Sequence, residues 1–577
     1  MHSPSLLFSR CIVCLLIILT GGLGAQARAP HQQAVATTLA SGETVKGKMA
    51  GGETQLFRIV LNAEEYLRVV VEQQGIDVAV ALVGPGQKRL LEIDSPNGNY
   101  GTEPVSAVAE ESGEYIIEVR SPDKKAAAGL FEIRVEALRE PMPADRSRVS
   151  AERAFVEASR LLSQPAAKSR QEALEKLAAL LPIFRSLEDR LMEVSTLNRL
   201  GLAHNTLGQP QQALGYYNQA LTISKALGDR RNEARMLNNI GGAYDIMGEP
   251  QKALGFYVQS LSLWETLSNA VAQGDALNNI GVIYYNLGEL QRSLDYYNRA
   301  LPLRRAGSNP RREADTLDNI SLIYIALGEP QQALEYLRQA LDLRRVSEDV
   351  QGEANSLTQI GFAYVALGET TKALDYYNRA LPLRRTAGDR RGEAVTLKNI
   401  GVAYASLRQP QKAIEQHEQA LKLLRAIGSR REEAATLIHL GKAHTLSGEL
   451  QKSAEDYTQA LSIFRALNDR FGEARARQSI AEAESERGNF TEARSQIEAA
   501  VSIIEAMRAQ VVSQQLRTSF FASRQDAYEF QTDLLMRMHA LDPTKGFDAA
   551  ALQISERARA RSPGDDVGVR RQHPSGR

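Results

Sequence analysis

Cysteine is almost missing from this 577-residue chain, and its two copies, Cys11 and Cys14, both fall near the N-terminus. That excludes a disulfide framework, thiolate metal ligands and a cysteine nucleophile from the remainder of the chain. A charge of one sign is missing too, with 69 basic residues against 69 acidic ones, so no global field draws in nucleic acid or an anionic membrane. Beyond the first 27 residues there is no apolar run of the roughly 20 residues that a membrane helix needs. The eight histidines are scattered, and the one close pair, His439 and His444, is spaced by five and shares no helical face. No Ser-His-Asp arrangement, phosphate loop or metal-ligand cluster stands out, so no catalytic, cofactor-binding or metal residues are assigned.

What is present is repetition. Between Leu197 and Ala500 the chain returns to itself about every 40 residues without insertions, the signature of stacked helix pairs. One column holds Gly201, Gly241, Gly281, Gly361, Gly401 and Gly441, with Ser321 replacing glycine once. Seven residues on, Gly208, Gly248, Gly288, Gly328, Gly368, Gly448 and Gly488 mark the turn within each pair. Small residues recur at Ala213, Ala253, Ser293, Ala333, Ala373 and Ala413, and aromatics at Tyr217, Tyr257, Tyr297, Tyr377 and Tyr457. N-cap residue types at Asp229, Asn269, Asn309, Asp349, Asp389, Ser429 and Asp469 begin the first helix of each pair. A recurring glutamate near that start (Glu233, Glu313, Glu353, Glu393, Glu433, Glu473) opposes the helix dipole. Pro302 and Pro382 fall inside second helices and are expected to kink or shorten them. His204 and His444 take a column otherwise held by tyrosine and are expected to pack as its substitutes.

Phrases such as Leu237 to Tyr244 and Gly248 to Leu254 resemble the tetratricopeptide repeat (TPR). The resemblance implies a mainly α fold, a right-handed superhelical solenoid of helix pairs, here in a long-repeat form whose extra residues lengthen helix B and the start of the next helix A. Eight repeats span 191–510, and 151–190 reads as a degenerate capping repeat.

One amide-rich column, Asn239, Asn279, Asn319, Gln359 and Asn399, lies mid-helix, continued at its ends by Arg199, His439 and Ser479. Asparagine there costs about half a kcal/mol against alanine, so its return needs a reason. The resemblance implies that this column faces a concave groove and hydrogen-bonds the backbone of an extended peptide. Asn198, Asn238, Asn278, Asp318 and Lys398 would add to the groove floor. The alternative is that the amides bond adjacent helices and hold the superhelix together.

The ends differ in texture. Residues 1–27 read as a secretory signal: Arg10, an apolar run from Cys11 to Leu19, then a small-x-small site at Ala25 to Ala27. Residues 33–138 alternate with period two and read as a small all-β sandwich, with strands at Gln55 to Leu61, Tyr66 to Glu72, Val78 to Val83, Arg89 to Ile93, Glu114 to Arg120 and Leu130 to Glu136. Phrases at Ile76 to Leu82 and Ser112 to Val119 resemble the jelly-roll-like bacterial prepeptidase C-terminal domain, whose acidic turn residues are sparse here, so no calcium site is carried over. Residues 139–150 read as a linker and 511–562 as a helical segment resembling the lead-in of TPR proteins that carry a CHAT (caspase-like) domain. No such domain follows, and 563–577 reads as disordered, so a truncation near Ser562 is expected.

These readings point to an exported bacterial scaffold, periplasmic or extracellular, that binds a peptide or protein partner, without catalysis, cofactor or nucleic acid. Two alternatives stay open: the truncated regulatory front half of a secreted CHAT protease, or an envelope- or carbohydrate-binding β-module carried on a repeat spacer.

Overall fold

The computed structural model describes residues 36–93, 100–124, 126, 128–164, 167–307, 309–509 and 525–559. The signal-like segment, the stretch 510–524 and the tail 563–577 lie outside the described residues. The chain divides into two compact units, Met1–Arg153 and Ala154–Arg577.

The first unit carries two sheets. One orders its strands β1 (Thr37–Thr38), β3 (Thr54–Leu61), β8 (Gly113–Arg120), β5 (Ala79–Val83) and β6 (Arg89–Ile93). The other orders β2 (Thr44–Met49), β9 (Gly129–Arg139), β4 (Tyr66–Gln74) and β7 (Tyr100–Val108). Alternate residues of facing strands meet between the sheets, and Phe57 of β3 packs edge-on against Phe131 of β9 with centroids 6.0 Å apart. Alternation located six strands but missed β1, β2 and β7. In β7, Gly101 and Pro104 interrupt the pattern, and Pro104 is tolerated because the strand lies at a sheet edge.

The expected linker is mostly helix: α1 (Pro143–Leu162) begins two residues after Pro141, with Asp145 accepting from the Met142 amide at 2.7 Å. In the second unit, α2 (Ala167–Ser186) packs on the C-terminal half of α1 through Phe155 and Phe184. Eight regular pairs follow. Their A helices are α3 (Arg190–Thr206), α5 (Arg230–Ile246), α7 (Ala270–Asn286), α9 (Pro310–Ala326), α11 (Val350–Ala366), α13 (Arg390–Ser406), α15 (Arg430–Ser447) and α17 (Arg470–Glu486). The B helices are α4 (Pro210–Ala226), α6 (Pro250–Thr266), α8 (Leu290–Ala306), α10 (Pro330–Val346), α12 (Thr370–Thr386), α14 (Pro410–Ala426), α16 (Leu450–Ala466) and α18 (Phe490–Ala509). Helices α19 (Gln525–Leu541) and α20 (Phe547–Arg559) close the described chain.

The period of about 40 is physical. Most helices of the pairs are 17 residues long, A and B alike, so both share the long repeat. Outside 307–309, each short connection between the paired helices turns on one positive-φ residue, such as Gly248 (74°) within a pair and Gly388 (66°) between pairs. Asp229, Asn269, Asn309, Asp349, Asp389 and Asp469 cap their helices as expected, each accepting from the amide three residues on. Ser429 does not, because its hydroxyl donates to Glu432 instead, at 2.6 Å. Nor do the prolines shorten anything: α8 and α12 run through Pro302 and Pro382 at the full 17 residues.

Candidate functional site

Successive A helices approach one another more closely than successive B helices do, which places A on the inner side of the curved stack. The amide column lies in the seam between neighbouring A helices. Asn239 Nδ2 donates to Asn198 Oδ1 at 2.8 Å, Asn279 to Asn238 at 3.0 Å and Asn319 to Asn278 at 3.3 Å. Asn239, Asn279 and Asn319 are half-buried. No other described residue engages them, so each keeps its carbonyl oxygen and one N–H available.

The predicted set then divides. Asp318, where the pattern would place asparagine, turns to Arg344 (3.2 Å) and Ser356 (3.1 Å). Burial pushes its carboxyl up to about 6, although Arg344 pulls the other way. Gln359 accepts from Ser321 at 3.2 Å. Lys398 and Asn399 are half-buried on α13, with no hydrogen bond to the ladder. The structure therefore joins Asn198, Asn238, Asn239, Asn278, Asn279 and Asn319 in one pattern and leaves Asp318, Gln359, Lys398 and Asn399 outside it.

Two clasps hold the A helices in this register, and sequence reasoning identified neither. The glutamate column does more than oppose the dipole: Glu473, for example, accepts from Arg465 of the preceding B helix and from Arg477, both at 3.1 Å. Burial alone would raise its pKa, but these arginines outweigh burial and hold it below the usual carboxylate range. A second column, Arg304, Arg344 and Arg384, is buried on the B helices and reaches Asp275 (3.0 Å), Asp318 and Asp389 (2.6 Å) respectively. Its signal was the Leu-x-Leu-Arg-Arg phrase returning every 40 residues.

At the pair turns, aromatic residues of A and B stack. Tyr244–Phe256, Tyr284–Tyr296, Tyr324–Tyr336 and Tyr364–Tyr376 lie 5.3 to 5.4 Å apart. His204 substitutes as expected, stacked on Tyr216 at 5.3 Å. His444 is buried in the same column, but it meets Asp456 where other repeats have a ring, and the two hydrogen-bond at 2.7 Å beside a cleft of about 520 Å³. Among the described residues there is no group of three His, Cys, Asp or Glu placed to hold a metal, and no helix long and apolar enough to cross a membrane.

The sequence profile of the tetratricopeptide repeat matches residues 166–226, 194–266, 273–345, 352–426 and 432–506, together more than half of the chain. The chain belongs to the tetratricopeptide repeat family. Among solved structures, this TPR chain is 14% identical to a Rap protein complexed with competence and sporulation factor, covering 64% of this chain and 99% of that one at a TM-score of 0.44. It is 13% identical to the apo quorum sensor NprR from B. thuringiensis, covering 59% and 97% at a TM-score of 0.43. BtubC from P. vanneervenii is 22% identical, covering 43% and 93% at a TM-score of 0.32. No curated protein matches the TPR chain in sequence.

Proposed function

We propose that this TPR protein is an exported scaffold whose inner A-helix face binds an extended peptide segment of a protein partner. One observation carries the reading: Asn239, Asn279 and Asn319 are each oriented by a bond to the preceding repeat yet keep a carbonyl oxygen and an N–H unengaged. An extended backbone offers complementary N–H and C=O groups along its length, so a fixed row of amides pairs with it whatever its side chains. Val282, Leu322 and Val402, one turn further along their A helices, add apolar surface beside the amides. Each ladder hydrogen bond supplies about 1 kcal/mol. Export rests on the signal-like composition of residues 1–27 and is tested by N-terminal sequencing of fractionated material, where a start near Arg28 supports it and Met1 in the cytoplasmic fraction rejects it.

The groove is tested by selecting a peptide from a random display library and placing a photo-crosslinking side chain at Leu322 or, on a B helix, at the exposed Val258. Crosslinking at 322 and not at 258, with binding weakened roughly fivefold or more by Asn279→Ala together with Asn319→Ala, is the expected result. Crosslinking confined to 258 would reject the groove.

A further inference from the structure

In the seventh repeat the stacked ring pair of the earlier pair turns is broken. Asp456 stands on α16 at the position of Phe256, Tyr296, Tyr336 and Tyr376, and His444 stands on α15 at that of their tyrosine partners. A carboxylate fills less space than a ring, and a cleft of about 520 Å³, the size of a small-ligand pocket, opens between the B helices α14 and α16. Buried Leu437, Leu440 and His444 of α15 form its floor, and exposed Glu418 of α14 and Glu455 of α16 stand at its rim.

The uncommitted polar atoms of this cleft are acceptors. His444 Nδ1 bonds Asp456 Oδ2 at 2.7 Å; a carboxylate only accepts, so Nδ1 carries the hydrogen and Nε2 of the neutral ring presents a lone pair. His444 is 6% exposed, and among the described residues its Nε2 has no partner. Asp456 Oδ1 and the Glu418 carboxylate likewise have none there, and Glu455 is bound only by Gln451, at 3.1 Å. The two cations of the lining are held by acids outside it: Arg425 Nε donates to Glu433 at 2.8 Å, and Lys452 pairs with Glu449, reaching Glu418 and Asp456 only through its field. Burial raises the Asp456 carboxyl against the pull of His444, and Glu455 and Glu418 add to the rise. An incoming cation relieves that crowding of negative charge.

We propose that this cleft binds a guanidinium group on an apolar stem, the chemistry of an arginine side chain. Its acceptors lie apart: among the described residues no three of His, Cys, Asp or Glu are placed to hold a metal ion. A guanidinium presents five N–H donors in a rigid planar fork, and so meets separated acceptors that a compact ammonium cannot reach together. Asp456 Oδ1, Glu418 and the His444 lone pair take the head, while Leu421, Leu437 and Leu440 cover the methylene stem. The site lies between B helices, apart from the amide ladder of the A helices, and stands independently of the peptide groove.

The test titrates the full chain with Nα-acetyl-arginine methylamide, its lysine analogue, and its citrulline analogue, which keeps the shape without the charge. The arginine compound is expected to bind saturably, the lysine compound more weakly and the citrulline compound not at all. Glu418→Gln with Glu455→Gln, both at exposed positions, should weaken arginine binding roughly tenfold while the helical circular dichroism is retained. Glu415→Gln, exposed on α14 outside the cleft, should leave it unchanged. Asp456→Tyr restores the ring of the column and should abolish binding by filling the cleft; the exposed pair keeps the test decisive if that variant fails to fold. Free arginine binding as tightly as the blocked compound assigns the group to the amino acid, and a preference for the blocked compound assigns it to a partner chain; both support the site. Arginine binding that is absent, matched by the citrulline compound, or unchanged in the Glu418 and Glu455 double variant overturns the proposal.

Discussion

Gly281 lies flat against the ring of Tyr297: a Cβ built at residue 281 would sit 2.6 Å from Tyr297 Cε1. The same contact recurs at Gly241 with Tyr257 and at Gly441 with Tyr457, and it explains the departures from the glycine column. Where Ser321 replaces glycine, Leu337 replaces the ring; where Ala481 does, Ile497 does. Helix A approaches helix B closely only if one of the two positions gives up volume.

Gly281→Ala is therefore expected to destabilise the chain by about 1–3 kcal/mol through overpacking. Adding Tyr297→Leu should recover part of that loss, which a double-mutant cycle by urea unfolding measures. Additive effects in the cycle would show that the pair is not coupled.

At the pair turn of the sixth repeat, Arg408 occupies the left-handed position (φ 57°) that glycine holds in the other repeats. Arg408→Gly should raise stability by about 1 kcal/mol, because the side chain is strained there. A lower melting temperature for this variant would contradict the assignment.

Arg344 and Asp318 form a buried pair whose halves are not equivalent. Removing the cation by Arg344→Ala leaves Asp318 buried and uncompensated, at an expected cost of about 3–5 kcal/mol. Asp318→Asn should cost less than about 1 kcal/mol at neutral pH, since burial already penalises the carboxylate. The folded pKa of Asp318, about 6, lies above its ordinary 3.8, so its contribution is fully present below about pH 4 and is lost as pH rises through 6. The wild type should gain on the asparagine variant between pH 6 and 4. A constant difference between the two across that window would reject the account.

His417 works in the opposite direction. Burial, and then Lys398, push it down to about 4 from 6.5, so the unfolded chain takes up a proton before the folded one does. Its contribution is intact above pH 6.5 and is lost as pH falls to about 4, at about 1.4 kcal/mol for each pH unit. His417→Tyr restores the residue of its column and should flatten the melting temperature in this window. Parallel wild-type and variant profiles would exclude His417 as the group responsible.

Much of this protein is legible in the linear chain because a repeat of fixed length turns local rules into columns. Glycine at the turns, asparagine or aspartate at the A-helix starts, and the glycine and tyrosine columns each follow from a requirement within one or two repeats, so period alone revealed them. The same reasoning located six strands by alternation, and it failed where Gly101 and Pro104 broke the pattern of an edge strand.

Tertiary structure alone decided which polar groups meet. The amide column was readable, but its bonds join residues 41 positions apart, and whether Asn279 reaches Asn238 or a ligand depends on how close two A helices come. Asp318 breaks the ladder because Arg344, 26 residues away on another helix, competes for it. Columns record what each repeat needs from its neighbour; charge placed by folding across several repeats leaves no periodic trace.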